Sequence, residues 1–303
     1  MNRILDLIIV CVVTMVASSC NIDEVTITPF PEQEQETTSI VTVYDYTPAP
    51  GQFIGDTRTM GFDGTETTRE AAIAYAQRRL DNKQLLSLGA FGGYVVVGIE
   101  GGITNREGDD FAILGNAFDG SSEPGIVWVM KDENGNAEPD DTWYELEGSE
   151  SFSDDTIQHY EVTYYRPEAE NMDVEWEDNL GGKGVVEHLA SFHNQAYYYP
   201  TWIAEESYTL VGKCLKSKSY DKSGSGTQWV NPAFEWGYAD NASAECVAGE
   251  NRFDIARAVE ASGESVALES VDFVKVQCAI QQQCGWIGEV STEIKSIIVI
   301  DNE

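Results

Sequence analysis

A chain of 303 residues with 52 acidic and 18 basic side chains carries a formal charge of −34. Such an excess repels phosphate and so excludes electrostatic capture of nucleic acid or anionic lipid, leaving cations, neutral ligands and basic partners. A content of 42% hydrophobic and 11% aromatic residues belongs to a globular protein with a sizeable core.

The chain opens with an address. Arg3 is followed by a mostly apolar run over residues 5–16, then by the small residues Ala17, Ser18 and Ser19 immediately before Cys20. This resembles a bacterial lipoprotein signal, which implies removal of residues 1–19 and acylation of Cys20, although Ala17 stands where such signals usually carry leucine. A plain secretory signal or an uncleaved anchor is the alternative, but the apolar run is too short to span a bilayer comfortably. Asn21-Ile22-Asp23-Glu24 is similar to the acidic export signal of Bacteroidetes lipoproteins on the outer face of the outer membrane. Residues 20–39, with Pro29, Pro31 and alternating Glu and Gln, have little to bury and read as an acidic flexible tether. The expected location is the cell surface, in contact with the membrane only through the lipid.

The first strand is expected over residues 40–46 and is broken by the TPAPG turn at 47–51. Over residues 67–83, Ala71, Ala72, Ala74, Tyr75 and Leu80 lie among good helix formers behind Thr67 and Thr68, which predicts one amphipathic, capped helix. Short apolar runs then recur at 85–88, 93–100, 110–114, 126–130, 142–146, 158–166, 174–178, 208–213, 271–279 and 293–300, separated by Gly-rich turns. Strands at this spacing predict a mainly β fold, an antiparallel β-sandwich or jelly roll, as a single domain over 40–303. Residues 179–250 are poorer in strands and read as a long loop-rich insertion.

Within this series, residues 125–148 form a long-looped hairpin around Asn134-Gly135. Asp132, Asn134, Asn136, Glu138 and Asp140 recur at alternate positions and Asp141 follows, an oxygen set suited to structural calcium. The start resembles the D-x-N-x-N of dockerin and thrombospondin-type repeats. Gly135 in fourth place and Trp143 in twelfth exclude EF-hand geometry. A solvated acidic turn without an ion is the alternative.

Beyond Cys11 and Cys20, Cys214, Cys246, Cys278 and Cys284 leave an even number in an exported chain, so disulfides are expected, with Cys278–Cys284 and Cys214–Cys246 as the preferred pairs. No C-x-x-C favours thiolate metal ligation. Tyr198, Trp202, Trp229, Trp236 and Tyr238 concentrate flat, polar-tipped surface that suits sugar faces or a large planar ligand; filling the core is the competing role. His188 and His193, five apart, fit neither helical nor strand pairing for a metal. There is no G-x-S-x-G, H-E-x-x-H, P-loop or dinucleotide fingerprint, and carboxylate pairs drawn from 52 acidic residues carry no information about hydrolysis.

The segments LSLGAFGGYVVVGIE, DDFAILGNAF, SEPGIVWVMKDENGNAEPDDTWYEL and VDFVKVQCAIQQQCGWIGEVSTE, with YDYTPAPGQF near the start, resemble a group of Bacteroidetes cell-surface lipoproteins encoded beside TonB-dependent uptake systems. The resemblance implies a β-sandwich that binds a ligand or partner at the cell surface, and it supplies no catalytic residue. Neighbours in such systems capture cobalamin or glycans. The expected function is therefore binding of a nutrient, corrinoid or glycan, for an outer-membrane transporter, without catalysis. A surface glycoside hydrolase and a scaffold that binds only a partner protein are the alternatives.

Overall fold

A computed structural model describes residues 36–37 and 41–300; the signal, Cys20 and most of the tether lie outside them. The predicted hairpin is present: Gly125–Met130 pairs antiparallel with Trp143–Leu146, with Trp128 opposite Glu145. It belongs to a six-stranded antiparallel sheet ordered Ala258–Val259, Trp143–Leu146, Gly125–Met130, Ser270–Cys278, Tyr94–Thr104, Val41–Thr47. The two long inner strands, Ser270–Cys278 and Tyr94–Thr104, are covered on both faces, which is why VVVGI reads as a continuous apolar run rather than an alternation.

Against one face packs a sheet ordered Glu36–Thr37, Ser296–Ile300, Phe111–Leu114, Glu250–Phe253. Val95, Val97, Val127, Val129, Val274 and Val276 from the central sheet meet Phe111, Ile113, Phe253 and Ile297 from the second, giving the shared core of a β-sandwich. Each such side chain, fully buried, favours folding by roughly 1.5–3 kcal/mol. The helix, Arg69–Asp81, closes one end of this core with Ala72, Tyr75, Ala76 and Leu80, and the Thr68 hydroxyl accepts the Ala71 N–H at 3.2 Å as its cap.

A further antiparallel sheet, ordered Lys183–Val186, Val174–Asp178, Ile157–Tyr165, Ser207–Cys214, buries Tyr160, Val162, Tyr164, Val174 and Leu210 against Phe91 and Ala49. The span over 179–250, expected as a loop-rich insertion, contributes two strands to this layer. Its strands Lys183–Val186 and Ser207–Cys214 complete a sheet begun at Ile157. The strand expected over 208–213 is present as Ser207–Cys214, whereas Lys183–Val186 was hidden because it is short, contains glycine and lies in a sheet with one open face.

Candidate functional site

The sequence GEVSTE, residues 288–293, is polar, yet Glu289, Val290, Ser291, Thr292 and Glu293 are all nearly inaccessible to solvent. Hydrogen bonds explain how a polar segment is held inside. Leu88 N–H donates to Thr292 O at 2.9 Å, Thr292 Oγ1 donates to Glu123 O at 2.8 Å, and Ser291 Oγ donates to Glu293 Oε1 at 2.5 Å. Glu293 pairs across the strand with Ser87, whose hydroxyl lies 2.7 Å from that of Ser291.

At the start of this segment, Glu289 Oε1 accepts the backbone N–H of Gln52 at 2.8 Å, and Gln52 Nε2 donates to Ile287 O at 2.7 Å. Two glycines make the approach possible. A Cβ on Gly51 would stand 2.5 Å from Glu289 Oε1, and one on Gly288, whose φ is +91°, would stand 2.2 Å from Gln52 Nε2. Glu289 Oε2 is buried with no hydrogen-bond partner. Burial, chiefly, with a smaller contribution from the Glu293 charge, pushes the Glu289 carboxyl up to about 8. At neutral pH it is therefore a carboxylic acid, and the proton sits naturally on the unpartnered oxygen.

Glu289 lines a cleft of about 430 Å³ between the open sheet and the 279–289 loop. Trp176 and Tyr160 form one wall, Gln281, Gln282 and Gln283 the other, and Asp155 and Lys216 stand at the rim, paired at 2.9 Å. Trp176 lies across its cross-strand partner Gly184, where a Cβ would come within 2.5 Å of the indole. Tyr160 is fixed by donating its hydroxyl to Asp178 Oδ2 at 2.6 Å. Gln283 Oε1 is a second buried polar atom without a partner. The cleft offers flat rings, a carboxylic acid donor and carboxamides that both donate and accept.

The aromatic residues singled out from the sequence do not converge on a ligand surface. Tyr198 and Tyr238 are fully buried and Trp202 nearly so, stacked within the core on Tyr46 and Phe62, which corrects their expected role as ligand contacts. Trp236 lies under the Arg257 guanidinium, and Trp229 packs against the third apolar cluster. The two histidines flank Tyr198: His188 packs on its ring at a tilt, and His193 meets it and Phe53 edge-on.

The acidic loop over residues 132–141 is held by hydrogen bonds of its own. Asp132 Oδ1 accepts N–H groups from Gly135 and Asn136, and its Oδ2 accepts from Ala137. Asn134 and Asn136 each donate to Asp140, and Asp141 accepts from Glu133 N–H. Glu138 enters the network through its backbone N–H, donated to Asn136 Oδ1.

Cys214, Cys246, Cys278 and Cys284 are all free thiols, so neither expected pairing is present. Each buried sulfur faces its own backbone or amide neighbour: Leu215 O for Cys214, Val290 O for Cys278 and Asn231 Oδ1 for Cys284. Burial raises all four thiols, Cys214 to about 12 and both Cys278 and Cys284 to about 11.

Glu289, Gln281, Gln282, Gln283 and Trp176 were not singled out from the sequence. The available signal was a polar hexapeptide between two strongly apolar strands, which marks either a loop or a buried polar segment. In comparisons with known proteins, no family model and no curated protein matches the chain. Among the described residues, no helix is long and apolar enough to cross a membrane.

Proposed function

We propose that this chain is a lipid-anchored, surface-exposed binding module that takes the end of a glycan, or a similar neutral polyhydroxylated ligand, into the cleft beside Glu289 without chemical turnover. The single observation that carries this reading is Glu289, whose Oε2 is a buried acid oxygen with no partner, on a residue lining a cleft walled by Trp176 and Tyr160. A neutral carboxyl donates to a hydroxyl or ring oxygen, the glutamines complete a polar wall, and the rings supply an apolar face for sugar C–H groups. At about 430 Å³ the cleft is of the size that holds a small ligand, and it suits a sugar end better than a whole corrinoid. Anchoring through Cys20 at the outer membrane and delivery to a TonB-dependent transporter rest on the sequence resemblance. Structural calcium in the loop over residues 132–141 belongs to the same reading.

Hydrolysis is the second reading, because a carboxyl raised to about 8 is what a general acid requires. Asp155, the other carboxylate in the lining, is held by Lys216, which favours binding alone. The test is titration of the purified protein with neutral plant and host oligosaccharides and with cobalamin, followed by tryptophan fluorescence, with mass spectrometry for products. Saturable binding of an oligosaccharide, weakened tenfold or more in Trp176→Ala and without product, is expected. Turnover would establish the hydrolase, and binding of cobalamin alone would overturn the glycan assignment. Labelled palmitate is expected in the wild type and not in Cys20→Ala.

A further inference from the structure

A second group of buried acids lies at the other end of the 288–293 segment. Glu123, Asp240 and Glu293 each present a carboxylate oxygen within 4.8 Å of the other two. Three separate stretches of chain are fastened to bring them there. Glu123 N–H donates to Asp240 O at 2.9 Å, Gly125 and Ala239 exchange N–H donations at 3.0 Å, and Glu293 N–H donates to Asp240 Oδ2 at 2.9 Å. Asp240 adopts the left-handed conformation at φ 52° and receives N–H groups from Asn116 and Ala117 on Oδ1.

Ionised without a counter-charge the arrangement is costly, because carboxylates removed from water repel one another and lose hydration, and an empty cluster avoids that cost by holding protons. Among the described residues, no lysine or arginine forms an ion pair with any of the three. Arg79 lines the same cavity as Glu293, but its guanidinium donates to Leu85 O and Gln84 Oε1. Independently of the cluster's acidity, Glu293 Oε2 is an acceptor with no hydrogen-bond partner, on a side chain only 2% exposed. Burial, reinforced by their mutual charge, holds Glu123 and Asp240 well above the usual carboxylate range.

We propose that Glu123, Asp240 and Glu293 form a calcium site that clips the start of the inner strand Gly125–Met130 to the Glu293–Ile294 strand and the 238–241 loop. Three hard anionic oxygens select a hard divalent cation over softer metals. Two oxygens on opposite sides of calcium, each about 2.4 Å from it, stand about 4.8 Å apart, so three oxygens within 4.8 Å of one another fall inside the span of one calcium shell. Magnesium would require stricter octahedral geometry and gives up its water less readily. Glu123 is only partly buried, and a cavity of about 420 Å³ reaches Glu293 and Asn116, so water can complete the coordination and the ion has a path. This site is distinct from the acidic loop over residues 132–141 and does not depend on the ligand proposed for the cleft.

The test is native mass spectrometry and thermal melting of the purified, chelator-stripped protein with and without calcium at about 1 mM, a range typical of extracellular calcium modules. Wild type and Asp132→Ala are expected to retain a bound ion that is absent from Glu293→Gln. The same Glu293→Gln substitution should melt at or above stripped wild type, because it removes one buried ionisable group from the cluster. Should Glu293→Gln not melt cooperatively, Glu123→Gln, at the partly exposed position, serves in its place. Retention of the same number of ions in both glutamine variants, or no ion in wild type, would overturn the proposal.

Discussion

Glu289 and Gln52, 237 positions apart, are joined by one hydrogen bond from the Gln52 backbone N–H to Glu289 Oε1 at 2.8 Å. That bond uses one carboxyl oxygen and leaves the other buried without a hydrogen-bond partner, on a residue that lines the cleft. It therefore ties the 288–293 segment to the turn after the first full strand and sets the protonation state of the site together.

Stability should fall with pH because of Glu289. Its folded value is raised to about 8 from an ordinary 4.5, so the folded state binds a proton that the unfolded state releases between those values. The contribution is whole below about pH 4.5, declines by up to about 1.4 kcal/mol per pH unit, and is gone above about pH 8. Chemical denaturation from pH 5 to 9 should show a shallower decline in Glu289→Gln than in wild type. Equal slopes would remove Glu289 as the cause.

Gly288→Ala should lower stability by about 1–3 kcal/mol and weaken ligand binding. The new methyl meets Gln52 Nε2 at 2.2 Å on a backbone at φ +91°, where side chains are strained. Gly224, at φ +68° with nothing within 4 Å, is the control: alanine there carries the backbone strain alone. Equal losses at both positions would show that the Gln52 contact contributes nothing.

Unfolding the chain from residue 21 without reductant should expose four titratable thiols. In the native state Cys214, Cys278 and Cys284 should react far more slowly than Cys246, because they are buried and their thiolate populations are depressed. Two thiols or none after unfolding would show the disulfides expected from the even cysteine count.

For the acidic loop, calcium should raise the melting temperature of Glu293→Gln, in which only the loop over residues 132–141 can respond, and chelator should reverse it. Asp132 accepts three backbone N–H groups. Asp132→Ala should therefore lower stability by about 1–3 kcal/mol even without calcium, through the lost hydrogen bonds. No calcium response in Glu293→Gln would leave the loop as a hydrogen-bonded acidic turn.

Much of the fold was legible because its signals are local. Thr68 capping an alanine-rich run, Asn134-Gly135 between two apolar runs and the valine-rich inner strands each act within a few residues. The cleft was not legible for the opposite reason. Glu289 acquires its character from Gln52 and from Gly51, both brought in from the far end of the chain, and among 52 acidic residues nothing local distinguishes it. Tyr198 and Tyr238 misled because amphipathic rings suit a core as well as a ligand, and only packing decides between them. The cysteines misled because an even count says nothing of where each sulfur points.

The most direct test of the central claim is the affinity of the oligosaccharide that binds best, measured from pH 6 to pH 10 in wild type and Glu289→Gln. If the Glu289 carboxylic acid donates to the ligand, wild-type affinity is steady below about pH 8 and falls toward tenfold per pH unit above it, while Glu289→Gln gives a flat profile. A flat wild-type profile, or the same decline in Glu289→Gln, would contradict the account.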